Sequence, residues 1–562
     1  MNASLLNALS AAISDNPVHV LQLRKIVVAL AISGRLNEAD ASIGREELLV
    51  LLDDAKRRLI SQRILTKQKP IVALTHDQLP EDFSNPSTFI SLGQIARVEK
   101  GKTGIQQAKP GPYPLVVTAA ERMTADHFDF DGAAAIIPLV SSTGHGNASI
   151  NRLHYQEGQF ALGTILAAVL PHDPALFSAR FLFEYLSAFK EELLVSRMSG
   201  TANVTLTLGR IEAVPVPLVP PAIQQQLDEL MALCDALEAA RTERETKRDR
   251  LAAASLARLN TPDPETFRDD ARFALDALPA LTARPDQIKQ LRQTILNLAV
   301  RGKLVPQDPA DEPAEELLKR IVDQREAIVV ERKIRGATPP QPPSAEAENF
   351  GLPISWKLCA LGQITLITDP NPSHRYPDYS GGTIPILSTR EFAGDDGWNP
   401  STAKLVAQEF WEFQNEICGF SKGDIMFARK GRLGLPRFLP QLVQFTFSHT
   451  LFSIKPVRGL DSFYLLWMLK RDDVVAWLTN EMNQNTGVPT LGKAKTERLP
   501  IPLPPLAEQH RIVAKVDELM ALCDQLETSL STADETRKKL LDALLAEALA
   551  PVNAEALQEA AE

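Results

Sequence analysis

The sequence predicts a mixed α/β protein made by internal tandem duplication: two globular cores separated by long helices that form an antiparallel coiled coil. Three observations predict it. The eight residues Asp-Glu-Leu-Met-Ala-Leu-Cys-Asp occur at Asp228 to Asp235 and again at Asp517 to Asp524. Each copy follows a proline hinge, Val214 to Pro221 in the first and Leu499 to Pro505 in the second. Each then opens an apolar stripe at helical spacing.

Taken in order, the chain starts with a helical stretch in which Leu23-Arg24, Leu30-Ala31 and Gly34-Arg35-Leu36 match Leu291-Arg292, Leu298-Ala299 and Gly302-Lys303-Leu304. Glu46-Glu47-Leu48-Leu49 echoes Glu315-Glu316-Leu317-Leu318. The repeats therefore run over roughly 5–260 and 273–548. Their middles, Ile90 to Val214 and Ile354 to Leu499, align only at isolated positions, which predicts similar helical frames around dissimilar cores. β-type runs occur at Ala133 to Val140, Phe160 to Val169, Thr383 to Leu387, Asp424 to Ala428 and Phe445 to Ile454, punctuated by glycine and proline. Helical pieces follow at Phe177 to Val195 and Ser462 to Leu478, so each core reads as mixed α/β. The organisation is a helical region over 1–85, a first core over 86–217, a central helical region over 218–345, a second core over 346–502 and a closing helical region over 503–562.

The second hinge leads into Val516, Leu519, Cys523, Leu526, Leu530, Ala533, Leu540 and Leu544, a heptad seam flanked by charged positions. The first begins alike, at Leu227, Leu230, Cys234 and Leu237, then passes through the charged stretch Arg241 to Arg250. A helix of about 35 residues spans about 50 Å, on the order of 15 base pairs of duplex. Gly336 to Asn349, with Pro339-Pro340-Gln341-Pro342-Pro343, reads as a semi-rigid linker because successive prolines lack donors and clash in a helix.

Composition narrows the function classes. At 562 residues the chain has room for several domains. No apolar run approaches the roughly 20 residues that cross a bilayer, and no secretory signal opens the chain. Four cysteines suggest a reducing, cytoplasmic setting, and none has metal-ligand spacing. The net charge of −10 means that any nucleic-acid binding must rest on a local surface.

The hinges carry a resemblance. Pro500-Ile501-Pro502-Leu503-Pro504-Pro505-Leu506-Ala507-Glu508-Gln509, the shorter Pro220-Pro221-Ala222-Ile223-Gln224-Gln225 without the Glu-Gln pair, Gly423-Asp424-Ile425-Met426-Phe427-Ala428-Arg429 and the turn Thr486 to Leu491, with a poorer counterpart in Ser199 to Leu206, resemble the specificity subunits of Type I restriction-modification systems. The resemblance implies two target-recognition domains, each reading one half of a split site in double-stranded DNA, and duplicated helices that fix the spacing and dock partners. It implies two modification subunits that methylate adenine with S-adenosylmethionine, and restriction subunits that can join and cleave DNA with ATP and Mg. This chain would then hold no cofactor or metal, perform no chemistry and have no membrane partner.

The residues agree with a non-catalytic role. The Asn/Asp-Pro-Pro-aromatic stretch of an adenine methyltransferase is missing, and Asp369-Pro370-Asn371-Pro372 only echoes it. Gly101-Lys102-Thr103 resembles the end of a P-loop, but the glycine required five residues earlier is Ala96. His145 has no evident partner and reads as a loop residue. The strongest basic cluster, Arg429, Lys430 and Arg432 with Arg437 behind, is expected on an exposed loop, gripping phosphates and reaching a guanine edge. Lys493, Lys495 and Arg498 would add backbone contacts, and Lys100, Lys102, Lys109 and Arg122 form a sparser set in the first core. The rival readings are a duplicated coiled-coil scaffold that binds only proteins, which needs no such cluster, and a DNA enzyme, which the missing motifs disfavour.

Overall fold

A computed structural model describes residues 16–36, 45–63, 74, 79–80, 83, 89–143, 146–201, 203–260, 263, 265–332, 351–373, 375, 377–394, 396–482 and 490–550. The proline linker, His145 and residues 486–489 of the expected turn lie outside them. The chain forms two compact units, residues 1–246 with 531–562 and residues 247–530. The divisions fall inside the two longest helices, Pro221–Asn260 and Leu506–Leu549, so each unit takes the start of one and the end of the other.

In unit 1 the leading helix Pro17–Ile32 starts on Asn16, whose side chain accepts from the Val18 amide, and buries Leu23, Ile26, Val27 and Leu30. Arg24 reaches from it to Asp235 (2.5 Å), Glu238 (3.2 Å) and the Met231 sulfur (3.9 Å). On another side Asn16 and Gln22 bond to Asp534 and Asp542. Unit 2 repeats this arrangement. From the helix Pro285–Val300, Arg292 reaches Asp524 (2.6 Å), Glu527 (3.2 Å) and the Met520 sulfur (3.8 Å). Here Gln287 and Asn297 bond to Asp249 and Asn260. Each small bundle is thus closed by the far end of the other repeat's hinge helix.

A continuous heptad seam is not what those helices carry. Val516, Met520 and Cys523 are buried, but Leu526 and Leu540 are exposed, and burial resumes one position later, at Leu541 and Ala548. In the first helix Leu227, Met231 and Cys234 are buried, then Ala252, Leu256 and Leu259. Each helix has an apolar stripe at either end and a charged middle, because each end serves a different hydrophobic core.

The β core of unit 1 consists of β1 (Phe89–Ser91), β2 (Ala96–Lys100), β3 (Tyr113–Val116), β4 (Met123–Ala125), β5 (Phe130–Asp131), β6 (Ala134–Pro138), β7 (His154–Gln156), β8 (Gln159–Leu162), β9 (Leu166–Pro171) and β10 (Pro215–Pro217). One antiparallel sheet runs β2-β9-β6-β7 and a second β4-β3-β8-β5, with β3 and β8 parallel. Alternate residues of β6 face two cores. Ala135 and Ile137 pack toward the helix Ala179–Ala188, while Ala134 and Ile136 meet Val116, Phe160 and Leu162 of the second sheet. Burial on both faces makes such a strand read as an unbroken apolar run.

Unit 2 contains β11 (Lys357–Ala360), β12 (Thr365–Thr368), β13 (Ile384–Leu387), β14 (Phe392–Ala393), β15 (Gly397–Trp398), β16 (Lys404–Val406), β17 (Ile425–Ala428), β18 (Pro436–Phe438), β19 (Thr446–Phe447), β20 (Leu451–Pro456) and β21 (Pro500–Leu503). The order β12-β20-β17-β18 repeats β2-β9-β6-β7, β16-β13-β19 repeats β4-β3-β8, and β11-β21 repeats β1-β10. The cores expected to be dissimilar therefore share one topology. Two predicted strands are each split. The chain turns at Gly163 between β8 and β9 and at Ser448 between β19 and β20, in both places passing from one sheet to the other.

The hinges are also repeated. The Tyr185 hydroxyl donates to Pro215 O (2.8 Å) and that of Tyr464 to Pro502 O (2.6 Å). Gln224 accepts from the Ser178 amide and donates to Val219 O, while Gln509 accepts from the Asp461 amide and donates to Pro504 O. Gln224 thus does the work of Gln509 without the Glu-Gln pair. Cys234 and Cys523 are buried at matching places. Among the described residues no helix is long and apolar enough to cross a membrane, and no group of His, Cys, Asp and Glu is placed to hold a metal ion.

Candidate nucleic-acid interface

In each unit one end of the β core gathers the loops that leave the two sheets. In unit 2 these follow β12, β13, β17 and β19, and residues 490–491 join them. Arg429 is the tie. It is buried, bonds Asp369 at 2.6 Å, donates from Nε to Leu491 O at 3.2 Å and lies 4.3 Å over the Phe452 ring. Burial lowers its pKa, and the Asp369 carboxylate works against that shift. Arg437 is buried too, donating to Gly394 O at 2.7 Å and lying 4.4 Å over Phe392, which pins the β14–β15 hairpin. The expectation that both arginines sit on an exposed loop is corrected. Their hydrocarbon stems and planar heads fill the space beneath the loops, and a buried guanidinium needs a partner.

The loop above Arg429 matches the expectation better. Lys430 is half-buried and pairs with Thr490 through a backbone bridge, and Arg432 is exposed. Gly431 and Gly434, with φ of 80° and 75°, permit the tight return into β18. A methyl group at Gly431 would stand 3.5 Å from Thr389 Oγ1, so the loop of Ser388 to Glu391 lies alongside. That loop exposes Arg390, while Glu391 folds inward to accept from the Ser388 amide and hydroxyl at 2.8 and 2.7 Å. Arg375, also exposed, follows an Asx turn in which Asn371 bonds Asp369 and the Arg375 carbonyl. This turn is the structural role of the Asp-Pro-Asn-Pro echo.

Lys493, Lys495 and Arg498 do not join this end. They lie on or just after the helical turn Lys493–Glu497, which packs on residues 361–364, before β12 begins. Lys493 is 3.7 Å from Glu497, Lys495 is 3.9 Å from Glu481, and Arg498 is exposed.

In unit 1 the corresponding loops follow β2, β3, β6 and β8. Leu206 donates to Leu139 O at 2.9 Å just as Leu491 donates to Arg429 O at 3.0 Å, which makes Leu206 the counterpart of Leu491. Leu139 thus stands where unit 2 has Arg429. Lys100, Lys102 and Lys109 are exposed, with Lys102 5.2 Å from the centre of the Phe130 ring. Gly101 is a close-packing residue, since a Cβ there would come within 2.2 Å of Gly163 O. Arg122 is half-buried and its fork is spent on Gln156, His154 Nδ1 and Tyr155 O, each at 3.1 Å. Because Arg only donates, His154 Nδ1 accepts and the ring is neutral. Burial, with Arg122 and Arg152 beside it, holds His154 down to about 4.

Next to it opens a cleft of about 320 Å3, lined by Thr118, Ser141, Ser142, Asn151, Arg152 and Ile165 among others. Lys190 fixes its wall by donating to Ile150 O and Asn151 O. Sequence reasoning missed Arg152, Arg375 and Arg390, which stand singly among ordinary loop residues. Only contacts between distant segments bring them to one end of a core.

Comparison with known proteins finds relatives of one kind. Residues 353–533 match the family described as Type I restriction modification DNA specificity domain. The chain is 27% identical to the Type I restriction enzyme EcoEI specificity subunit of Escherichia coli, over 94% of each chain. It is 26% identical to the EcoAI specificity subunit of the same organism, over 93% of each. A crystal structure of the HsdS subunit from Thermoanaerobacter tengcongensis covers 83% of this chain and 97% of that one at 15% identity, with a TM-score of 0.40. Over nearly its whole length the chain is similar to the specificity subunits of Type I restriction enzymes, and residues 353–533 match their DNA specificity domain.

Proposed function

We propose that this chain directs a Type I restriction-modification complex to a split site in double-stranded DNA, with the loop end of each β core reading one half. The observation that carries this reading is the pairing of one topology with two different loop surfaces: a shared scaffold bearing distinct polar side chains suits two recognition tasks. Lys100, Lys102 and Lys109 in unit 1 and Lys430 in unit 2 grip phosphates, which position the protein without reading sequence. Arg429, Arg437 and Arg122 hold the loops in shape from beneath. The duplicated helices dock two modification subunits, which bind S-adenosylmethionine and methylate adenine. Restriction subunits, where present, supply ATP- and Mg-dependent cleavage. This chain selects the sequence and supplies no reacting group. The names of its relatives favour this over a scaffold that binds only proteins.

Genome-wide mapping of N6-methyladenine in the source cell, with and without the gene, tests the proposal. Loss of one split, asymmetric motif on deletion supports it. An unchanged map in cells that express the assembled complex would refute it.

A further inference from the structure

We infer that unit 2 reads guanine in its half-site, through Arg390 and Arg432, while Arg429 beneath them is a positioning residue. The inference rests on the reading of this loop end as a DNA-binding surface and goes on to name the base. Three observations lead to it.

The first is juxtaposition. The loops bearing Arg390 and Arg432 come from the ends of β13 and β17, more than forty residues apart, and meet where Gly431 approaches Thr389. Both arginines are exposed, and among the described residues neither is in a salt bridge. Two carboxylates of the same loop end are engaged elsewhere. Asp369 pairs with Arg429, and Glu391 is turned inward onto Ser388.

The second is support. A base-reading side chain needs a loop that already has its bound shape. Here the loop after β17 is tied by Arg429 to Asp369 and Leu491, and the loop after β13 is closed by Glu391. The Ser388 hydroxyl also accepts from the Arg390 amide at 3.1 Å.

The third is chemical. A guanidinium offers donors in a rigid fork and accepts nothing. In the major groove only guanine presents two adjacent acceptors, O6 and N7; adenine pairs one acceptor with a donor, cytosine shows a donor, and thymine one acceptor and a methyl. Unit 1 offers a different chemistry at the same place. The Ser141 hydroxyl donates to Asn147 O and accepts from the Thr143 amide, that of Ser142 donates to Ser149 O, and both serines line the cleft. The guanine preference is therefore assigned to unit 2, where two exposed arginines stand on adjoining loops, whereas the unit 1 cleft has the single Arg152.

The test uses the complex reconstituted from the full-length chain and its partner subunits, with the duplex identified by methylation mapping. Each guanine in turn is replaced by 7-deazaguanine, which keeps Watson–Crick pairing and removes the N7 acceptor. At one or two guanines confined to one half-site, binding should fall about 5- to 150-fold. Arg390→Ala or Arg432→Ala should lose a similar factor, tolerate other bases at that position and become insensitive to the analogue there. Lys430→Ala should instead weaken binding to all sequences alike and lower the salt slope. Co-purification of the subunits reports folding, which neither exposed arginine supports. A complex indifferent to the analogue at every guanine, a site with no guanine in the half affected by the variants, or equal loss on all sequences in both arginine variants would overturn the inference. A wild-type complex with no sequence preference would overturn the parent reading, and this one with it.

Discussion

Units 1 and 2 are two uses of one architecture, and they differ most where the β core meets its loops. Unit 2 places a buried arginine, Arg429, under its loops and exposes Arg390 and Arg432 above them. Unit 1 places Leu139 at the corresponding position and builds a cleft that mixes Thr118, Ser141, Ser142, Asn151 and Arg152 with apolar residues. Away from the loops the two agree residue by residue: Arg24 with Arg292, Gln224 with Gln509, Tyr185 with Tyr464. The comparison teaches that the frame is held by side chains bonding to fixed backbone atoms and neighbouring helices. The loop ends are free to exchange chemistry because only the strand ladders beneath them must be kept.

The largest difference can be broken by removing the tie. Arg429→Leu gives unit 2 the residue type that unit 1 has, but removes the Arg429 guanidinium that pairs with the Asp369 carboxylate. It should cost about 3–5 kcal/mol in denaturant unfolding of unit 2, and adding Asp369→Ala should return most of the loss. If Arg429→Leu alone is neutral, the buried pair is not what holds these loops.

Acid should separate the units next. His154 and His172, both in unit 1, are held down to about 4 from an ordinary 6.5, each first by burial and then by nearby cations, Arg122 and Arg152 for one and Lys56 and Arg97 for the other. Their folded-state affinity for protons is below that of the unfolded chain. The stability tied to their neutral forms is therefore full above about pH 6.5 and is lost as pH falls from there toward 4. Buried acids shift upward in both units, Glu184 in one and Glu508 in the other, so they do not distinguish them. Amide exchange compared at pH 7 and pH 5 should show protection falling first in the strands of unit 1.

Smaller substitutions sharpen the likeness. Gln224→Ala and Gln509→Ala should each cost about 1–3 kcal/mol, since each leaves buried backbone groups at a hinge unpaired. Unequal costs would show that the shared bonding does not mean shared weight. Arg24→Ala and Arg292→Ala should each cost only about 0.2–1 kcal/mol, because their carboxylate partners are largely exposed. Melting of the two variants should be nearly indistinguishable.

The sequence made the duplication legible because the octapeptide and the hinge prolines serve the frame, where contacts are specific. It did not reveal that Gln224 matches Gln509, since the spacing from that glutamine to the shared methionine differs by about one helical turn, from Met231 in one repeat to Met520 in the other. The likeness of the two cores was hidden for another reason. A strand buried on both faces requires apolar residues and backbone ladders, not particular side chains, so β6 and β17 share a place and no sequence. The fused readings of 160–169 and 445–454 failed at Gly163 and Ser448, where the chain changes sheets without a strong turn signal. Arg429 and Arg437 looked solvated because Lys430, Gly431 and Arg432 lie between them and read as part of one basic loop. Asp369 and Gly394, which receive their donors, lie far away along the chain.

The most direct test of the account is to map N6-methyladenine motifs in cells carrying the gene with either loop end altered, Ser141→Ala with Asn151→Ala in unit 1 or Arg390→Ala with Arg432→Ala in unit 2. The account predicts that each pair of changes relaxes one half of the split motif, a different half in each case, and leaves the other half and the spacing intact. If both pairs alter the same half, or either alters the spacing alone, the assignment of one half-site to each unit is contradicted.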